Sequence, residues 1–402
     1  MEILSINGFF VSSVPKKKRT RRTTPTIRTN KKKKPSSISI ASLPDDLVLR
    51  IIARVSRLYY PTLSLVSKRF RSLLASTELY KIRSLLGHTE SCLYVCLSMH
   101  SSRIWFTLGR KPEQTSKKNN KSSDYVLAKV PIPHSPHANF SSLVAVGSNI
   151  YNIGASQSMY KASSSTVSVL DCTTHSWREL PSLSVELFTV YSSVLDRKIY
   201  VAGKFKADGD NEDDPFRNTI EVFDTRTQVW DPDPIPCSVA KEDMPFYNSA
   251  CIDGKFHVVA GSKVFAYDAK EGRWDLVGPD MSSYMFSHSH CEVDNVLYSV
   301  SDGVFMWYDT ELRSWRDLKG LVGLPKFPPE ACVRLAEYGG KLAVFWFEIF
   351  RYGLGYKNKI WCAEIALQRC KSGEIWGKVE WFDHVLTVPI FCGFQKVLAA
   401  TV

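Results

Sequence analysis

No stretch of this 402-residue chain carries the roughly 18 consecutive apolar residues that a membrane-spanning helix needs, so no membrane partner is expected. The first positive charges follow the apolar Ile3–Val14 segment instead of preceding it, the reverse of a secretory leader. Ten cysteines are present without one C-x-x-C, and without a Cys/His cluster at zinc spacing. Scattered in this way they read as small buried hydrophobes of a reducing compartment. G-x-S-x-G, P-loop and G-x-G-x-x-G patterns are missing as well, so no residue is assigned to catalysis and no cofactor is expected.

The formal net charge of +12 suggests nucleic acid until it is located. Residues 1–40 hold eleven Lys or Arg against the single acid Glu2, a net +10, which leaves +2 for the other 362 residues. A body without a basic surplus is poorly equipped to grip phosphates, so no nucleic-acid partner is expected. The tail, 1–40, has no apolar period after Val14 and is expected to be disordered. Within it Lys16, Lys17, Lys18, Arg19, Arg21 and Arg22 form a compact run of the kind nuclear import receptors read, and Lys31–Lys34 form a second. The dense lysine blocks favour this over an organelle transit peptide and point to nucleus as well as cytoplasm.

Residues 41–87 read as short helices. Leu43-Pro-Asp-Asp46 is a helix start, with proline suited to the first helical position and two acids at the positive end of the dipole. Leu47, Val48, Ile51, Ile52, Val55 and Leu58 follow at helical spacing as one apolar stripe. Pro61 opens a further segment with Leu63, Leu65 and Val66; Phe70, Leu73, Leu74, Leu79 and Ile82 extend the pattern to a stop at Gly87. So few helical residues cannot bury this apolar surface among themselves, so part of it must meet a partner or the next domain.

From 92 to 402 one phrase recurs. Asp171, Asp224, Asp268 and Asp309 each precede a tryptophan by six residues (Trp177, Trp230, Trp274 and Trp315), and each closes a β-rich run such as Ile220-Glu-Val-Phe. Successive tryptophans lie 53, 44 and 41 residues apart, a period of propeller blades. The aspartate accepts a hydrogen bond from backbone two residues on and closes the turn between the third and fourth strands. The tryptophan then opens the fourth strand, and burying such a side chain stabilises by roughly 1.5–3 kcal/mol. A fifth blade is read around Trp376. Cys92–Leu97 and Arg103–Leu108 look like the last two strands of a sixth, anchored by Trp105, with the run from Phe391 to Val402 supplying its missing first strands and closing the ring.

These motifs resemble those of plant F-box/kelch-repeat proteins. Ser42-Leu-Pro-Asp-Asp-Leu-Val-Leu49 and Leu63-Ser-Leu-Val-Ser-Lys-Arg-Phe-Arg-Ser-Leu73 are similar to the F-box, with Phe70 where many F-boxes outside plants have tryptophan. The Asp–Trp phrase is similar to the kelch repeat, its double glycine degraded to Gly154-Ala, Ala202-Gly and Ala260-Gly. The resemblance implies a mainly β fold: a kelch-type β-propeller of about six blades behind a small α-helical F-box module. It implies docking on a Skp-type adaptor, and through it a cullin–RING ligase, by Leu43, Pro44, Leu47 and Ile51, with Val66 and Phe70 in support. The propeller would then hold an unknown protein target for ubiquitination, the alternative being a kelch interaction module acting outside a ligase.

Two candidate metal sites read as bland. Asp208–Asp214 lacks the sixth-position glycine of an EF-hand loop, and His288 and His290 have no third ligand. Target recognition is expected on the face carrying the long connections, among them Glu348 to Asn358. The acidic tip there (Asp208, Asp210, Asp213, Asp214) together with Phe350, Tyr352 and Tyr356 suits a partly basic partner.

Overall fold

The structure, a computed structural model, describes residues 40–99, 102–111, 124–132, 135–136, 140–154, 163–207, 216–237, 244–285, 289–328 and 331–402. The basic run Lys16–Arg22, the acidic tip 208–214 and His288 lie outside them. Contacts divide the chain into two units, Met1–Leu43 and Pro44–Val402. Of the first, the described feature is a 3-10 turn, Ile40–Ser42, with the Leu43 N–H donating to the Ile40 carbonyl at 3.3 Å.

The second unit begins with four helices: α1 (Asp45–Ile52), α2 (Tyr60–Leu63), α3 (Lys68–Leu74) and α4 (Thr77–Leu85). Pro44 sits at the N-cap of α1, one position earlier than expected, and its carbonyl accepts the Val48 N–H at 3.1 Å. Ser67 and Ser76 cap α3 and α4, their hydroxyls accepting the Phe70 and Leu79 N–H groups at 3.1 and 3.4 Å. Gly87, at φ +65°, ends the module: its left-handed conformation turns the chain away from α4. The expected single stripe of α1 proves to be two faces. Val48, Leu49 and Ile52 are buried, whereas Leu47 and Ile51 point outward.

Arg83 of α4, 2% exposed, holds this module to itself. Its guanidinium donates to the carbonyls of Ala53, Val55 and His88, to the Tyr60 hydroxyl, and to Glu90 Oε1 at 2.7 Å. The end of α1, α2 and the linker to the propeller therefore converge on one side chain.

The rest forms six four-stranded antiparallel sheets. Blade 1 contains β1 (Ser91–Met99), β2 (Ser102–Arg110) and β3 (Tyr125–Lys129). Blade 2 is β4 (Leu143–Val146), β5 (Asn149–Ile153), β6 (Val167–Asp171) and β7 (Ser176–Leu180); blade 3 is β8 (Leu187–Leu195), β9 (Lys198–Lys206), β10 (Phe216–Asp224) and β11 (Val229–Trp230). Blade 4 is β12 (Phe246–Ile252), β13 (Lys255–Ala260), β14 (Lys263–Asp268) and β15 (Arg273–Val277); blade 5 is β16 (His290–Val293), β17 (Val296–Ser301), β18 (Val304–Asp309) and β19 (Ser314–Asp317). Blade 6 is β20 (Val333–Glu337), β21 (Leu342–Tyr352), β22 (Gly355–Arg369) and β23 (Ile375–Pro389). The last strand, β24 (Gly393–Thr401), pairs with β1, and the first strands of all six blades surround a central channel. The six sheets thus make a closed β-propeller.

Closure differs in detail from the expectation. The C-terminal run supplies one strand, not two, so β1 and β2 are the second and third strands of blade 1 and β3 is its fourth. Trp105 accordingly lies in a third strand, fully buried, with its indole N–H on Ser135 Oγ at 2.9 Å.

The repeated phrase works as a local turn. Asp171, Asp224, Asp268 and Asp309 each accept, through Oδ1, the N–H two residues on, at 2.7, 2.8, 3.0 and 3.1 Å. Four residues after each aspartate the chain adopts positive φ, at His175, Gln228, Gly272 and Arg313. Three of the tryptophans also clasp the blade before: the indole N–H groups of Trp230, Trp274 and Trp315 donate to the carbonyls of Pro181, Pro236 and Asp280 at 2.8, 2.9 and 3.0 Å. Trp376 does not follow them. It is 46% exposed, and blade 6 joins blade 5 through backbone, the Gly377 N–H donating to the Lys319 carbonyl at 2.7 Å.

Strand direction decides which face each connection leaves. First-to-second and third-to-fourth turns share one face, and the longer connections share the other. The helices join β1 where β24 ends, and so lie on the short-turn face. There Leu58 and Tyr80 pack against the propeller's apolar clusters, so part of the module's apolar surface is spent on the next domain.

At this junction His175 contacts the Tyr94 hydroxyl at 3.0 Å, and burial pushes its pKa down to about 4. Burial likewise pushes His257 in blade 4 down to about 4. Both titrate near 6.5 when unfolded, so between pH 6.5 and 4 the unfolded chain takes up protons that the folded chain refuses. Stability should therefore fall as pH drops from 7 to 5, by about 1–2 kcal/mol for each group. His175→Asn tolerates positive φ and removes one titration. Its melting temperature should fall less than wild type over that range; identical pH profiles would disprove the assignment.

Candidate functional site

Two surfaces stand out. The first is the outward side of the helices. Leu47 and Ile51 of α1 are each 45% exposed, and Leu65 and Val66, between α2 and α3, are more exposed still. Phe70 is partly buried, Pro44 is exposed, and Leu43 falls in the preceding unit. Asp45 binds Arg69 at 2.7 Å, which ties the start of α1 to α3. Large aliphatic side chains grouped on one small module mark a protein contact more often than chance exposure.

The second surface lies on the long-connection face, at blade 6. The segment Glu348 to Asn358, expected as an irregular loop, is regular hairpin: β21 and β22 stay paired to Tyr352↔Gly355 around a turn at Gly353 (φ +61°) and Leu354. With strands of 11, 15 and 15 residues against a usual five or six, blade 6 stands out from the ring as a ribbon. At its root a groove of about 880 Å³ runs between the blade 5–6 connection and the ribbon. Phe327, Trp346, Trp361 and Phe382 line it, with Trp346 and Trp361 stacked at 6.1 Å and Phe327 edge-on to Trp346 at 5.2 Å. The Trp361 N–H donates to Glu348 Oε2 at 2.6 Å, which fixes that ring. Ile349 and Ile390 add exposed aliphatic surface at the rim.

β20 pairs with β21 only as far as Val333↔Trp346. Among the described residues, Phe347–Tyr352 has β22 on one side and no strand on the other, leaving backbone groups open beside the groove.

Phe350 and Tyr352 come together on one face of the ribbon tip, with ring centroids 6.2 Å apart, whereas Tyr356, paired in register with Arg351, lies on the opposite face. The acidic tip, residues 208–214, lies outside the described residues; the strands on either side of it, β9 and β10, belong to blade 3. The charge around these described rings is basic. Lys357 Nζ sits 3.7 Å from the Tyr352 ring centroid, Lys359 Nζ sits 4.9 Å from that of Phe350, and Arg351 is exposed beside them, against the single acid Glu348. This ribbon suits an acidic partner segment. The groove aromatics were missed in sequence; the signal was the dense Phe345-Trp-Phe347 run in strands too long for an ordinary blade.

Two family models match the two parts of the chain. Residues 40–82 match the F-box domain, and residues 105–386 match the FKB95, Kelch-repeats domain. F-box/kelch-repeat protein At5g51250 of Arabidopsis thaliana is 60% identical over 90% of this chain and all of its own length. Putative F-box/kelch-repeat protein At5g38680 of the same plant is 54% identical over 92% of this chain and 97% of its own length. F-box/kelch-repeat protein At4g39550, also from that plant, is 49% identical over 97% of this chain and all of its own.

Proposed function

Because the chain belongs to the F-box/kelch-repeat family, we propose that it is the substrate-receptor subunit of a Skp–cullin–F-box ubiquitin ligase, an adaptor that does no chemistry itself. One observation carries this reading: the two exposed apolar surfaces lie on opposite faces of the propeller. Leu47, Ile51 and Val66, with Pro44 and Phe70, dock on the Skp-type adaptor. The blade 6 ribbon and its groove hold the target on the far side. Ubiquitin transfer then gains from effective concentration alone, since both proteins are held on one chain. The basic run at Lys16–Arg22 carries a fraction of the molecule into the nucleus.

Capture from plant extract with the proteasome blocked tests both ends. Leu47→Asp with Ile51→Asp places two carboxylates in a desolvated contact, a loss of a few kcal/mol, so recovery of the Skp-type protein and cullin should fall by about 100-fold. Tyr352→Ala with Tyr356→Ala should keep both and lose the target. Recovery of a Skp-type protein without cullin would favour an interaction module outside a ligase. Unchanged adaptor recovery by the double aspartate variant would overturn the docking face.

A further inference from the structure

Where the helices meet the short-turn face, a cavity of about 390 Å³ opens between α2, α3 and α4 on one side and blades 1, 2 and 6 on the other. Its walls are largely apolar, with Leu58, Pro61 and Leu74 from the helices and Leu93, Leu108 and Val130 from blade 1. Set into that wall is Arg57, 9% exposed. A guanidinium stays charged at any physiological pH, and burying a charge costs several kcal/mol unless a counter-charge goes with it.

The chain has a direct comparison for this residue. Arg83, buried as well, has Glu90 at 2.7 Å. Arg57 has no ion pair among the described residues. Among the described residues its side chain reaches Cys92 Sγ and the Tyr94 hydroxyl, both at 3.5 Å, the latter long for a hydrogen bond to oxygen, and stands 5.3 Å from the Tyr80 ring centroid. Glu90, the one carboxylate lining the cavity, is already engaged by Arg83, by the Ser56 hydroxyl and by the backbone N–H of Arg57.

Several other polar groups in the wall are already engaged. The hydroxyls of Ser64, Tyr80, Thr107 and Thr173 donate to Pro61, Leu74 and Leu93 carbonyls and to Asp171. His175 is held neutral by burial, with a pKa near 4. Arg71 and Lys129 add positive charge at the exposed rim. The cavity is therefore a largely apolar pouch whose buried Arg57 has no ion pair among the described residues, the one lining carboxylate, Glu90, being paired with Arg83.

We infer that this cavity binds a small organic acid, its anionic head on Arg57 and its apolar body along Leu58, Pro61, Leu108 and Val130. The bound acid would bridge helices and propeller, so it would stabilise the junction in proportion to its concentration. The inference is independent of what the helices or the ribbon bind.

Anilinonaphthalene sulfonate, an aromatic anion whose fluorescence rises in apolar surroundings, tests it on the full chain, with uncharged phenylnaphthylamine as the matched control. Saturable one-to-one binding of the sulfonate is expected, with the neutral compound at least about tenfold weaker, as loss of a charge-assisted hydrogen bond implies. Arg57→Met keeps the apolar stem and should abolish that preference without lowering the unfolding temperature, since it removes an unpaired buried charge. Ala128→Phe fills the cavity from β3 without touching the arginine and should abolish binding of both probes. Equal binding of both probes to the wild-type chain, or binding that survives Ala128→Phe, would overturn the inference. So would an Arg57→Met chain that keeps its preference for the anion.

Discussion

Truncation of the chain after Cys392 should abolish cooperative unfolding of the propeller. The ten residues removed include the whole of β24, which pairs with β1 from Ser91↔Thr401 to Ser98↔Gly393. Phe394, Val397 and Leu398 are all buried there, and Phe394 stacks on Phe347 of blade 6 at 4.2 Å. Three such side chains contribute roughly 1.5–3 kcal/mol each, which together approaches the 5–15 kcal/mol stability of a typical domain. The truncated chain would also expose the inner edge of β1, a template for aggregation. Calorimetry should show no sharp transition, and a synthetic Gly393–Val402 peptide should restore one. A truncated chain melting cooperatively within a few degrees of wild type would show that the ring does not depend on this strand.

Arg83→Met should be the most damaging single substitution in the helices. It strands Glu90 without its counter-charge and leaves the carbonyls of Ala53, Val55 and His88 without this donor. Removing one partner of a buried pair typically costs about 3–5 kcal/mol. Arg83→Lys should rescue little, because a single ammonium cannot span acceptors that the planar guanidinium fork reaches together. Helical signal lost at lower denaturant than in wild type, with propeller tryptophan fluorescence largely retained, is the expected pattern. A loss of stability below about 1 kcal/mol would mean that the arginine is incidental.

Blades 2 to 5 were legible because their signal is short-range. Asp171 and its three counterparts bond to N–H groups two residues away, so six residues of sequence hold the whole turn. The α1 helix was legible for the same reason, although periodicity did not separate the inward Val48 and Ile52 from the outward Leu47 and Ile51. The ribbon was misread as loop because Phe350–Tyr356 carries turn-like glycines, while what keeps it extended is pairing with β22 and β23. Blade 1 was misordered because its fourth strand, Tyr125–Lys129, follows a long polar stretch and carries no Asp–Trp phrase.

By itself the sequence determined the repeat, the turn that closes each regular blade, the helical start at Pro44–Asp46 and the location of the surplus charge. Each depends on residues within a few positions of one another, where backbone geometry leaves few alternatives. Tertiary structure alone decided which strand completes blade 1, which aliphatic side chains of α1 stay outside, that Arg83 has a carboxylate partner, and that Arg57 has none among the described residues. Those outcomes rest on contacts between distant segments, with β1 and β24 some 300 residues apart, and on burial. A charge becomes costly only once the chain has folded around it.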